Sequence, residues 1–260
     1  MNGGEWSRSR FWLGHFLYSR HQRRQVAWDG FSEAGVGLPA PLASWLARQA
    51  GRPDDADRRL VQHALRHHTD DPAYIQALRL VAKERQLHRE LCARLTPAPA
   101  AKDEHNAVMG FCRRQLGPRF EFSVGLLDDL IAVTLLQGMP SCGADNAGRA
   151  VVGILTAEKR AHIIFAAERL TELYADFNFV RRNLRRWRLR LMCLTLAGFV
   201  AVRDGGAIRA MGRSRRVFVL DVWRHFAVLL ERMVPYRRET LLAALMNQRE
   251  QRYDQPAKLL

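Results

Sequence analysis

The sequence predicts an all-α protein, and three observations carry that reading. Apolar residues recur at spacings of three and four along most of the chain, as on helices with one packed face, and strand-like alternation is scarce. Interruptions fall on glycine and proline: Gly51 with Pro53, Pro72, Gly117-Pro118, Pro140, Gly205-Gly206 and Gly212. Apolar residues make up 48% of the 260, enough for a core whose burial offsets the entropy of ordering the chain. A disordered or low-complexity chain is thereby excluded.

Residues 1–37 read as a basic, aromatic N-terminal arm closed by Gly35, Gly37 and Pro39. It has neither the long apolar core nor the small-residue cleavage site of a secretion signal. Helices are expected over 39–50 and 54–68. Thr69-Asp70-Asp71-Pro72 then reads as a loop whose aspartates cap the next helix, 73–95, with proline in its first turn. TPAPAAKD (96–103) reads as a linker, 104–116 as a further helical piece, 120–139 as a very apolar helix ended by Pro140, and 149–173 as an amphipathic helix. The remaining stretches, 176–203, 215–233 and 236–249, read as two or three more helices. Within them the apolar run 191–202 falls short of the roughly 18 residues a membrane span needs, and reads as core. The expected organisation is an arm (1–37), a helical bundle (38–173) and a C-terminal helical extension packed on it (174–260).

Lys and Arg number 41 against 26 Asp and Glu, a formal charge of +15, and only Lys83, Lys102, Lys159 and Lys258 are lysines. The densest basic run, FVRRNLRRWRLRL (179–191), sets Arg181, Arg182, Arg185, Arg186, Arg188 and Arg190 around Trp187; a second cluster is Arg209, Arg213, Arg215 and Arg216. Such clusters bind the phosphates of nucleic acid or anionic lipid head groups. The apolar interleaving instead suggests a helix with one packed face and one arginine face, which is the usual meaning of a charge run. Cys92, Cys112, Cys142 and Cys193 form no C-x-x-C pair, which points to free thiols in a reducing, cytoplasmic setting. P-loop, Rossmann, G-x-S-x-G and H-E-x-x-H patterns are absent, and with them the support for those enzyme classes.

The chain contains an internal echo with an offset of 74 residues. Glu84-x-x-x-His88 in VAKERQLHREL repeats as Glu158-x-x-x-His162 in LTAEKRAHIIF, and Asp54-Asp55 repeats as Asp128-Asp129. Residues four apart lie about 40° apart on a helical wheel. Glu84 and His88 fall on the apolar face defined by Tyr74, Leu78, Val81, Leu91 and Leu95; Glu158 and His162 fall on that of Val151, Ile154, Leu155, Ala161 and Phe165. Asp128 and Asp129 stand in a helix apolar all round, where an acid needs a cation, a metal or a proton. Over 54–68, Asp57 aligns with Val61, Ala64 and His68 on the apolar side, Asp54 sits at its edge and Asp55 points away.

On these residues the chain resembles the ferritin-like superfamily of di-metal carboxylate four-helix bundles, in particular bacterial ferritin-like proteins and oxygenases. ILTAEKRAHIIF (154–165) is similar to the family's fourth bundle helix, DPAYIQALRLVAKERQLH (71–88) to its second and LLDDLIAVTLL (126–136) to its third. The resemblance implies a ferritin-like bundle over 38–173 with added N- and C-terminal helices. It also implies iron or manganese held by Glu84, His88, Glu158 and His162, completed by Asp129 (or Asp128) and Asp57 (or Asp54), and a dioxygen-activating oxidase or oxygenase acting on an unknown small molecule. The family spacing is Glu-x-x-His, however, so anchoring on the histidines places its glutamates at Arg85 and Lys159.

Two readings follow. The i,i+4 pairs chelate metal; or arginine and lysine neutralise the buried acids, leaving a metal-free bundle that binds partners or scaffolds through its arginine faces, as an oligomer or alone. The plainer alternatives are core histidines for His88 and His162, capping for Asp54 and Asp55, a surface patch for His63, His67 and His68, and a solvated face for Glu168 and Glu172.

Overall fold

The structure is a computed structural model describing residues 3–23, 38–52, 55–96, 106–139 and 146–234, with side chains for all of these except 3–7, 22–23, 106–115 and 146–147. The described residues form nine helical elements and no strand: α1 (Gly3–Arg23), α2 (Ala40–Ala50), α3 (Asp55–His67), α4 (Pro72–Arg94), α5 (Asn106–Leu136), α6 (Asn146–Leu173), α7 (Phe179–Arg203), α8 (Gly205–Ala210) and α9 (Arg215–Met233). None of these is long and apolar enough to cross a membrane.

Local chemistry sets the boundaries. Asp71 accepts a hydrogen bond from the Tyr74 N–H at 3.0 Å and Pro72 occupies the first turn, so α4 starts where its capping loop predicts. Asn178 caps α7 through the Arg181 N–H (2.9 Å), and Ser214 caps α9 through the Val217 N–H (3.2 Å). The helical pieces expected on either side of Gly117-Pro118 are joined in α5, but Gly117 breaks the line at φ 72°, a conformation open to glycine and costly for other residues.

Four helices hold the centre. α5 packs along α6, α4 packs against α3 and α6, and α3 also reaches α5. α2 lies between α4 and α8, while α9 joins α7 to α5 and α6. Fully buried Leu42, Leu46, Leu91, Leu126, Leu127, Leu135 and Phe165 belong to one continuous apolar core.

Three parts of the chain differ from the sequence expectation. The N-terminal arm is largely helix α1, and it packs on α4. Trp12 and Phe16, four residues apart, are buried against Phe165, with ring centroids 5.5 and 5.6 Å away. Glu168 and Glu172 are anchors, not a solvated face. Glu168 accepts from the Trp12 indole N–H at 2.7 Å, and Glu172 accepts from Arg169 at 2.7 Å and lies 3.7 Å from Arg8. The interleaved apolar residues of α7 are mostly outside: Leu189 is buried, but Phe179, Val180, Leu184, Trp187 and Leu191 are exposed. In the run 191–202 the buried residues are Cys193, Ala197, Val200 and Ala201, with Leu194 and Val202 exposed. A helix packed on one side only buries about half its circumference, so an all-round apolar run leaves the other half in water.

Asp54, Cys142, Lys102, Lys258, nearly all of the 96–103 linker and the 236–249 helix lie outside the described residues.

Candidate functional site

The side chains singled out by the echo converge between α3, α4, α5 and α6. Asp57, Glu84, His88, Asp129, Glu158 and His162 are all buried. Of the acids left open on α3 and α5, Asp57 is the inward one and Asp55 is exposed; Asp129 is buried, and Asp128 is half-buried and lies 3.6 Å from Arg52.

The two Glu/His pairs cross. His162 on α6 contacts Glu84 on α4 (Nε2 to Oε2 2.8 Å), and His88 on α4 contacts Glu158 on α6 (Nε2 to Oε2 2.5 Å). Moving one turn along α4 moves one turn back along α6, so the helices run antiparallel and each pair is completed by its counterpart. The two rings lie 5.5 Å apart. Each imidazole donates from Nε2–H to a carboxylate, which leaves Nδ1 as the lone-pair nitrogen; neither Nδ1 has a hydrogen-bond partner among the described residues.

The remaining two carboxylates are held by fixed cations. Arg85 spans them, with Nη1 2.6 Å from Asp57 Oδ1 and Nη2 3.0 Å from Asp129 Oδ2. Lys159 Nζ approaches Asp129 Oδ1 at 2.7 Å. These are the two positions where the resemblance places metal-binding glutamates. Gly125, one turn before Asp129, gives the guanidinium room: a Cβ built there would stand 3.3 Å from Arg85 Nη2. The neighbouring buried acid, Glu121, is met by Arg59 at 2.6 Å.

Electrostatics follow from this geometry. Burial pushes Asp129 up, but Lys159 and Arg85 outweigh it and hold the carboxyl far below the usual carboxylate range. Burial alone would lower Arg85, and Asp57 with Asp129 more than reverse it, so the guanidinium is a permanent cation. Burial dominates for both imidazoles, taking His88 down to about 4 and His162 to about 3, with the Lys159 charge adding to the fall in each case. Both rings are neutral at pH 7.

Phe16 of α1 covers the cluster on one side, its ring 5.9 Å from that of His162. Arg169 and Asp71 clasp Ser9 of the same helix, each at 2.6 Å. On another side a cavity of about 140 Å³ adjoins the cluster, lined by Trp45, Arg85, His88, Asp128, Lys159 and Phe199 among others. Sequence reasoning missed Phe16 and Trp12 as parts of this enclosure. Their i,i+4 spacing with Ser9 three residues before Trp12 was the available signal, hidden among arginines.

The other sequence candidates lie elsewhere. His63 and His67 lie side by side on α3 with centroids 4.5 Å apart and rings tilted by 40°, and His68 packs edge-on against Tyr74 at 5.2 Å. Cys92 and Cys193 are free, buried thiols, their acidity pushed by burial to about 11 and about 12. Cys112 has no described side chain. Among the basic run, Arg186 is not on the surface: it is buried, donating to Glu231 of α9 and to the carbonyl of Val234 just past that helix. Among the described residues, no group of three or more His, Cys, Asp or Glu side chains is arranged to hold a metal ion.

No protein-family model matches the chain, and neither does any curated protein or solved structure.

Proposed function

We propose that this protein is a ferritin-like helical bundle in which fixed cations stand in the place of metals, and that it works as a metal-independent binding or scaffold protein through its arginine-rich exterior. The observation that carries the reading is Arg85, bridging Asp57 and Asp129 while Lys159 holds the second oxygen of Asp129. A di-metal centre needs those carboxylate oxygens as donors and tolerates no guanidinium among them. The residues present therefore do not fit iron or manganese. With the acids neutralised by arginine and lysine, and each histidine engaged by the opposite glutamate, the cluster aligns four helices and excludes slipped registers, a role for which buried polar groups are well suited.

A di-metal oxygenase is the rival reading. It is favoured by the two buried Nδ1 atoms without hydrogen-bond partners and by the adjoining cavity, which has room for a small substrate.

Metal analysis after purification without chelator and reconstitution with Fe(II) or Mn(II) decides between them. The expected result is substoichiometric metal in the native chain, and uptake of metal by an Arg85→Glu/Lys159→Glu variant that restores the acidic positions. About two equivalents in the native chain, lost in Glu84→Ala/Glu158→Ala, would overturn the proposal.

A further inference from the structure

Helix α7 presents two apolar faces. Arg186, Leu189, Cys193, Ala197, Val200 and Ala201 are buried against the rest of the molecule. On the other side Val180, Leu184, Trp187, Leu191, Leu194 and Val202 form a second stripe, spaced alternately four and three residues apart through Leu194. At helical periodicity they fall within about 80° of arc over about 33 Å of helix. They are well exposed: Trp187 at 68%, Val180 at 71% and Val202 at 69%. A contiguous exposed apolar stripe of this kind marks an interaction surface.

Charge identifies the occupant. α7 carries Arg181, Arg182, Arg185, Arg186, Arg188, Arg190 and Arg203 and no acid. Arg181 and Arg188 flank the stripe on one edge and have no acidic partner among the described residues; Arg190 flanks it on the other. Two copies of this helix laid face to face would set arginine against arginine, which disfavours self-association through this surface. A nucleic acid would satisfy the arginines but leave Trp187, Leu191 and Leu194 against hydrated phosphates. An anionic bilayer satisfies both: acyl chains take the apolar stripe, phosphate and carboxylate head groups take the arginines, and tryptophan is at home at the boundary.

We infer that α7 docks the protein flat on anionic phospholipid membranes, with Val180, Leu184, Trp187, Leu191 and Leu194 entering the head-group boundary and Arg181, Arg188 and Arg190 contacting lipid phosphates. The inference rests on the reading of the arginine-rich exterior as the working surface and names its partner. The two fail separately. A metal-loaded chain that binds vesicles overturns only the metal-free reading, and a metal-free chain that ignores vesicles overturns only this one.

The experiment is co-sedimentation of the full chain with vesicles of phosphatidylcholine alone and with about one-third phosphatidylserine. Binding is expected only to the anionic vesicles. Arg181→Gln/Arg188→Gln should weaken it about 25-fold, at roughly fivefold per charge. Trp187→Ser/Leu191→Ser should weaken it at least about tenfold, because both side chains lose apolar burial. Thermal unfolding of both variants should match the native chain, since all four side chains point to solvent. Acyl chains brominated near the head group should quench part of the tryptophan fluorescence, and Trp187→Phe should abolish that quenching. Anionic binding unaffected by Trp187→Ser/Leu191→Ser would overturn the inference, as would failure to bind vesicles, including failure accompanied by binding to duplex nucleic acid or to an acidic helical peptide.

Discussion

Arg85 and Arg188 are the same residue type with opposite surroundings. Arg85 is inside the bundle, its two nitrogens committed to Asp57 and Asp129, and along α4 it stands between the buried Glu84 and the exposed Gln86. Arg188 is outside, on a helix with no acid, next to the exposed Trp187. The first is a structural cation: removing it leaves charges stranded in a poor solvent. The second is well hydrated wherever it points, so its removal costs the fold almost nothing and acts on partners alone. Even two positions along one helix separate the roles, since Arg186 is buried against Glu231 and the Val234 carbonyl. The lesson is that the +15 balance is a mixture of two populations, one consumed by the core and one left for contact.

The largest effect that can break this contrast is expected from Arg85→Ala. Uncovering Asp57 and Asp129 should cost about 3–5 kcal/mol of stability, read by urea denaturation. A loss below about 1 kcal/mol would mean the bridge is ornamental. Next, Phe16→Ala should cost about 3 kcal/mol, because the ring is fully buried over His162 and Phe165; an unchanged midpoint would detach α1 from the cluster.

Acid sharpens the comparison in solution. His88 and His162 titrate near 6.5 when unfolded and at about 4 and about 3 when folded. Between these values the unfolded chain binds more protons, so stability rises with pH, is complete above about 7, and falls on the order of 2–3 kcal/mol for each imidazole on descending from 6.5 to 4. Asp129, held low in the fold, adds a further loss as pH falls below the ordinary carboxylate range. Urea midpoints across pH should follow this curve, and a flat profile from 7 to 4 would place charged imidazoles in the native cluster. Glu168→Ala should cost about 1.5 kcal/mol by removing the charged acceptor of the Trp12 indole, measured in the same way. The smallest effect belongs to the exterior: Leu184→Ser on α7 should stay within about 0.5 kcal/mol, and a larger loss would reveal a packed role for the stripe.

Much of the site was legible in advance. The repeated Glu/His spacing, helical-wheel placement and the position of Arg85 and Lys159 against the family spacing singled out the residues that meet in the cluster. Periodicity gives the facing side of a helix because every residue advances by the same angle. It says nothing about which helix lies opposite, so the crossing of Glu84 with His162 and of His88 with Glu158 was hidden. The enclosure by α1 was hidden too, because a basic segment with two buried aromatics reads locally as an arm. For the same reason the apolar run 191–202 reads as core although Leu194 and Val202 are exposed: hydrophobicity marks a face as able to pack without saying whether anything packs there.

By itself, then, the sequence determined the helical class, the breaks at Asp71-Pro72 and Gly117-Pro118, and the inward face of the two Glu/His pairs, because backbone conformation, capping and face periodicity are local properties of neighbouring residues. Tertiary structure alone decided the pairing: that a guanidinium spans two acids from different helices, that Phe16 closes the cluster, and that Arg186 is consumed while Arg188 is free to meet a partner. Those outcomes depend on which surfaces come within a few ångströms across the fold, and solvation and Coulomb energies are set there.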